Sequence, residues 1–360
     1  MAYTNIDDPS AYFQTAIYSG SNSELSVTND GNSDLKPDWL WIKHKNGTES
    51  HMVVDSTRGV TKYLSTDSAG SEATVTSRVE TLDTDGFTLN GASNPVNASG
   101  GTYVAWQWKA NGGTTSSNTD GNITSTVQVN SDAGFSIVTY TGNFTGSQGV
   151  GHGLGVRPDV VIIKNRDAGL SWVVWTSELT SGNFLKLQDT DAQASSSRIY
   201  QAGFTTSTFG IGANNSVNKS GDDFVAYCFA EKQGYSKFGK YVGNGSSDFN
   251  GTFVYTGFAP RFVMIKRTDG ANDWILHDYK LGTLASTGSE KGNVGNVNSA
   301  ALRANENSAT DDWGSIDMLS NGFKARSDAA SVNASGGSYI YMAFAEHPFT
   351  TSTGIPTTAR

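Results

Sequence analysis

The chain is poor in the residues that usually announce chemistry. It holds one cysteine in 360 residues, Cys228, which excludes an internal disulfide framework and any cysteine-rich metal site. Charged residues make up only 16%, and they divide into 25 basic and 34 acidic, a formal net charge of −9. No lysine or arginine run offsets that balance, so the phosphate-binding face that a nucleic-acid partner requires is missing. No apolar run approaches the roughly 18–20 residues of a membrane helix, which argues against membrane insertion. The opening "MAYTNIDDPS" lacks a basic segment followed by an apolar one, so the reading expects no secretory signal and synthesis in a cytoplasm. There is no GxSxG elbow, phosphate loop or dinucleotide fingerprint, and no cofactor is expected.

What is abundant points elsewhere. Gly contributes 41 residues and aromatics 11% of the chain. Aromatic side chains bury large areas and need a core, which excludes a disordered low-complexity chain. Short runs of aromatic and β-branched residues between Gly, Ser, Thr and Asn turns predict an all-β protein.

The six letters "VNASGG" stand at Val96–Gly101 and again at Val332–Gly337, with a looser copy, "VNKSGD", from Val217. Each is followed by an aromatic run: "TYVAWQW", "DFVAYCF" and "SYIYMAF". Four further words precede them in the same order. An aromatic strand with a glycine turn opens ("TAIYSGSN", "SIVTYTGNF", "KFGKYVGNG"). A proline-led apolar strand follows ("KPDWLWIKHK", "RPDVVIIKNR", "APRFVMIKRT"), then a shorter one ("SHMVVDS", "SWVVWTS", "DWILHDY"). A glycine–aromatic word comes last ("DGFTLN", "AGFTTS", "NGFKAR"). A period this long is a small domain, so the expectation is three tandem antiparallel β-sandwich repeats over 12–110, 134–232 and 235–347. Residues 1–11 read as an N-terminal arm, 111–133 as a linker or long loop rich in Gly, Ser, Thr and Asn, and 348–360 as a C-terminal tail. Only "KQG" joins the second and third units, which predicts that these two sit against each other.

Both parities of "DWLWIK" are apolar: Trp39 and Trp41 face one way, Leu40 and Ile42 the other. The proline-led strand is therefore expected to be buried on both faces. The repeated six letters read as a turn that places the closing strand, with Asn bonding locally and the paired glycines, Gly101 among them, supplying positive φ.

Chemistry is hard to find. The histidines His44, His51, His152, His277 and His347 form no pair with metal-ligand spacing. His152 in "GVGHGLG" reads as a turn histidine, and Cys228 as a small buried residue. "DTDAQ" (Asp189–Gln193) and "SATDD" (Ser308–Asp312) lack full calcium-ligand spacing and read as turns. Among the tryptophans, Trp172, Trp175 and Trp274 lie on the shorter strand beside polar loops. Aromatic platforms next to amides and carboxylates suit sugar recognition, so Trp175, Asn183, Trp274 and Asp278 are the candidate glycan contacts, against the alternative that the tryptophans fill the interior.

"IDDPSAYFQT", "VTNDGNSDLKPDW", "VGHGLGVRPDVVIIKNRD", "VAYCFAEKQGYSKFG" and "YIYMAFAEHPF" resemble repeat-containing virion structural proteins of marine tailed phages such as cyanophages and pelagiphages. The resemblance covers nearly the whole chain. It implies concanavalin-like or jelly-roll sandwiches in a non-enzymatic tail or capsid-surface fibre, assembled in the host cytoplasm and exposed on the virion. Partners would be other virion proteins, further copies of the chain and host-surface glycans. A purely architectural decoration or tail adaptor protein is the alternative, and a glycan-cleaving depolymerase ranks below both because no clustered acid pair is visible.

Overall fold

The computed structural model describes residues 4–91, 95–247, 250–282, 297–311 and 316–357. These residues are nearly all β; the helical elements are a single α-turn at Asn215–Asn218 and 3-10 turns at Pro9–Ala11 and Tyr279–Leu281. Three stretches, here called lobes, each build an inner sheet with the same antiparallel strand order. In the first lobe the order is Phe13–Ser19, Thr102–Trp108, Trp39–His44, Met52–Asp55. In the second it is Phe135–Thr141, Asp223–Phe229, Val160–Asn165, Val173–Thr176. In the third it is Ser236–Val242, Ser338–Pro348, Phe258–Arg267, Trp274–Asp278. The opening strand thus pairs with the closing strand, and the proline-led strand lies between the closing and short strands.

A smaller outer sheet covers one face of each inner sheet. Its edge strands are Leu25–Val27, Gln148–Gly151 and Phe253–Tyr255, paired with Gly86–Leu89, Thr208–Ile211 and Gly322–Ala325. Between the two sheets each lobe has its own core. Leu40, Ile42 and Phe87 pack in the first, Val161, Ile163 and Phe209 in the second, Val263, Ile265 and Phe323 in the third. One of the repeated words departs from the expected equivalence. "AGFTTS" places Phe204 in an isolated bridge opposite Phe209, and the aromatic equivalent to Phe87 and Phe323 is Phe209, which meets Tyr140 edge-on at 6.0 Å as Phe87 meets Tyr18 and Phe323 meets Tyr241 at 5.9 Å.

The repeated six letters form one device three times. The side chains of Asn97, Asn218 and Asn333 are fully buried, and each amide oxygen accepts the backbone N–H of Ser21, Asn143 or Asn244 just after the opening strand. Their amide nitrogens donate to Ser23 O, Thr145 O and Ser246 O. The preceding valine carbonyls accept the hydroxyls of Tyr18, Tyr140 and Tyr241 at 2.8, 2.7 and 2.6 Å. Positive φ falls on the first glycine position, Gly100, Gly221 and Gly336, where a side chain is strained. It does not fall on Gly101. That glycine is required because a Cβ there would lie 2.6 Å from the Tyr103 hydroxyl.

The other face of each inner sheet explains the double-sided strands. Trp39, Trp41, Trp106 and Trp108 of the first lobe, Phe135, Ile162, Tyr227 and Phe229 of the second, and Phe262, Met264, Met342 and Phe344 of the third belong to one shared core. Trp108, Phe229 and Phe344 are the equivalent last aromatics of the closing strands. Their rings approach pairwise to 6.5, 5.5 and 5.9 Å, so a threefold-like axis runs between them. Every lobe therefore touches both others, not only the second and third.

The expected linker is also ordered strand. Ser125–Asn130 pairs along the opening strand of the second lobe and Ser116–Asn118 adds outside it. "STVQVN" alternates, and its Val127 is buried while Gln128 bonds back to Ser56 and Thr57 of the first lobe. The N-terminal arm is tied down as well: Ile6 enters the shared core and the Thr4 hydroxyl donates to Gln233 O.

Candidate functional site

The polar groups with the most perturbed environments lie in the seams between lobes, and they recur in cyclic order. The proline-led strands carry Lys43, Lys164 and Lys266, all fully buried. Each donates across a seam to a backbone carbonyl: Lys164 to Ala69 O at 3.1 Å, Lys266 to Thr190 O at 2.9 Å, Lys43 to Asn307 O at 3.0 Å. Burial pushes all three ammonium groups down to about 8. Four residues before each acceptor, a second carbonyl takes a ring N–H at 2.9 Å. Trp172 donates to Ser65 O, Trp274 to Lys186 O, and His51 to Arg303 O. A backbone bond completes each seam: Glu72 N–H to Arg166 O, Gln193 N–H to Thr268 O, Thr310 N–H to Lys45 O. The first lobe thus clasps the second, the second the third, and the third the first.

His51 replaces a tryptophan in this scheme and serves both ways. Its Nδ1 accepts the Trp41 indole N–H at 2.8 Å, which leaves the proton on Nε2 for the carbonyls of Arg303 and Glu306. Burial, with Lys43 nearby, lowers its pKa to about 3, so it is neutral. Two acids at the ends of short strands add further ties. Asp55 accepts the Tyr227 hydroxyl at 2.7 Å and pairs with the buried Arg58 at 2.6 Å. Burial opposes the Arg58 charge, but Asp55, Tyr227 and Glu72 more than offset it. Glu72 in turn makes a bidentate pair with Arg166 of the second lobe.

Asp278, a proposed sugar contact, sits in the seam between the third lobe and the first. It is fully buried and its carboxylate accepts the Thr15 hydroxyl at 2.7 Å and the Trp106 indole N–H at 3.0 Å. Burial raises its pKa. Trp274 is likewise buried, its indole facing Lys186 O. Neither has surface to offer a sugar, because the shared core and the seams enclose the short strand. Trp175 is 8% exposed, stacked on Phe204 at 3.5 Å, with the Arg157 guanidinium 5.2 Å from its ring. Asn183 is half-buried on the next strand, Asn183–Lys186. The four residues are not gathered into one surface site.

The remaining singled-out residues are structural in their contacts. His152 Nδ1 accepts the Leu154 N–H, and Cys228 is buried in the core of the second lobe, where burial raises its thiol pKa. Asp189 and Asp191 pair with Lys186, and Asp311 pairs with Arg303. Asp312 of "SATDD" lies outside the described residues. Among the described residues no cluster of His, Cys, Asp and Glu could hold a metal, and no helix is long and apolar enough to cross a membrane.

A surface cleft that the sequence did not suggest lies where the second lobe passes into the third. It has a volume of about 220 Å³ and is lined by Glu231, Ser236, Lys237, Tyr255, Thr256 and Phe349, among others. Tyr255 is 60% exposed and Phe349 40%. The Lys237 ammonium meets Glu231 at 2.6 Å. Two exposed rings and a compensated ion pair thus line the same cleft.

Fold and site together define an all-β body of antiparallel sheets in which Lys43, Lys164, Lys266, His51, Asp55, Arg58 and Asp278 are bonded internally. The chain belongs to the family defined by a domain of unknown function (DUF7483), whose model matches residues 8–348 and so runs through all three lobes. No curated protein and no solved structure matches it.

Proposed function

We propose that the chain is a non-enzymatic structural protein of a phage virion. In this reading three copies of one β-sandwich unit are closed into a ring and displayed as a tail or capsid-surface appendage that attaches to host-surface glycans. The observation that carries the reading is the use made of reactive side chains. Buried lysines, a histidine, an arginine and two acids, the groups an active site would draw on, are each bonded across a seam, which suits a body built for mechanical integrity. The resemblance of its words to virion proteins supports the same reading. Several copies on one particle would turn weak sugar contacts into firm adhesion.

Mass spectrometry of purified particles tests it: peptides of this chain should band with the virion, and density for a three-lobed body should stand on its surface. Particles free of the chain would refute it. The closed seams equally suit an architectural decoration or tail adaptor protein without sugar contact, and host adsorption by particles lacking the chain separates the two. Unimpaired adsorption assigns the architectural role.

A further inference from the structure

We propose that the aromatic edge of the third lobe, formed by Phe253 and Tyr255 and continued by the cleft between Tyr255 and Phe349, binds a neutral hexose polysaccharide. This rests on the attachment reading above and names its site and ligand class.

The three lobes treat the same edge differently. Val27, Val150 and Val254 are the equivalent buried residues of the outer edge strands, paired with Phe87, Phe209 and Phe323. The residues on either side of them point outward. In the first lobe these are Ser26 and Thr28, small and polar. In the second they are Gly149 and Gly151, and the chain itself covers that edge. Ile123 N–H donates to Gly149 O, the Ser125 hydroxyl donates to Gly151 O, and a Cβ on Gly151 would fall 1.7 Å from Asn118 Oδ1. In the third lobe the two positions hold Phe253, 46% exposed, and Tyr255, 60% exposed. Among the described residues both rings stay open to water, where they add little to internal stability.

Residues two apart on a strand share a face at about 7 Å spacing, so the two rings form a short strip rather than a single anchor. The strip leads into the cleft, where Phe349 gives a third ring. Ring faces receive the C–H face of a sugar, and the rim supplies the groups its hydroxyls need: the Glu231 carboxylate, the Lys237 ammonium and the Thr350 hydroxyl. Tyr and Phe are also enriched at protein interfaces, so a second copy of the chain is the competing occupant that the test separates. The charge balance selects a neutral polymer. Lys237 is already compensated by Glu231, and a net charge of −9 repels polyanions.

The test uses the full chain in affinity electrophoresis through gels containing dextran, galactomannan, laminarin or, as a polyanion, alginate. At least one neutral polymer should retard it, and Tyr255→Ala or Phe253→Ala should weaken that retardation about tenfold. Tyr255→Phe, which keeps the ring, should restore most of it. Val156→Ala, an exposed apolar residue of the second lobe, is the control and should change nothing. All of these side chains are exposed, so melting temperatures should match wild type. Neutral-polymer binding that survives every ring deletion overturns the site while leaving attachment standing. Retardation by alginate alone overturns the ligand class. Retardation by none of the four overturns this inference, and the presence of the chain on the virion, measured separately, then decides the structural reading. A dimer in light scattering that Tyr255→Ala dissolves would assign the strip to a second copy of the chain and also overturn the proposal.

Discussion

Replacing Lys164 by methionine probes a seam at a position where burial alone, with no charged neighbour, pushes the ammonium down to about 8. Its Nζ donates to Asn165 O at 2.8 Å, Ala69 O at 3.1 Å and Ala168 O at 3.3 Å. Losing those bonds leaves buried carbonyls unpaired, a cost of about 3–4 kcal/mol at roughly 1 kcal/mol or more each. Removing the desolvated charge relieves about 3 kcal/mol, the equivalent of its displacement from the ordinary lysine value near 10.5. At pH 7 the two nearly cancel, so the discriminating quantity is the pH dependence. A lysine with a depressed folded-state pKa binds fewer protons folded than unfolded between about 8 and 10.5, so stability rises with pH across that window. Each of Lys43, Lys164 and Lys266 should add on the order of 1–2 kcal/mol between pH 8 and 9.5. Urea unfolding at a series of pH values in that range should show the variant gaining less than wild type by about one lysine's share. Identical slopes would refute the buried, charge-strained placement of Lys164.

Trp108→Ala should cost roughly 3–5 kcal/mol, because the indole packs on Phe13 and Trp39 of its own lobe and on Phe229, Phe262 and Phe344 of the others. Denaturant melts followed by tryptophan fluorescence would measure it, and a loss below about 1 kcal/mol would place the ring outside a common core. Asn218→Ala should lose about 2–4 kcal/mol in the same melts, since its buried amide bonds Asn143 N–H and Thr145 O, and a silent substitution would refute the stapling role of the repeated turn. Gly20→Ala should destabilise more than Gly100→Ala. The first Cβ would fall 2.2 Å from Ala98 O, whereas the second meets only the strain of φ 81° with nothing within 4 Å. The reverse order in thermal melts would contradict the turn geometry.

Much of the fold is legible in the sequence because local rules dominate it. The words from "TAIYSG" to "TYVAWQW" set strand order, and the six-letter turn recurs because the same buried asparagine is needed three times. The apolar parity of "DWLWIK" announces burial on both faces, but not that Trp39 and Trp41 face the other lobes. That depends on ring closure between residues far apart in sequence. Nothing in the words "WIK", "IIK" and "MIK" marks their last residue as buried, and only the seam turns that lysine inward. Trp274 and Asp278 mislead for the same reason, since the face they share is closed by the neighbouring lobes and not by their own. Phe253 and Tyr255 carry a signal that sequence can supply: rings at positions where the other copies have Ser, Thr or Gly.

The central claim is that three lobes share one core and close through equivalent seams, so that none is stable alone. Differential scanning calorimetry of the intact chain tests this most directly. A single transition whose calorimetric and van't Hoff enthalpies agree, and which moves as a whole in Trp108→Ala, is the predicted result. Two or three separable transitions, only one of them shifted by that substitution, would contradict it.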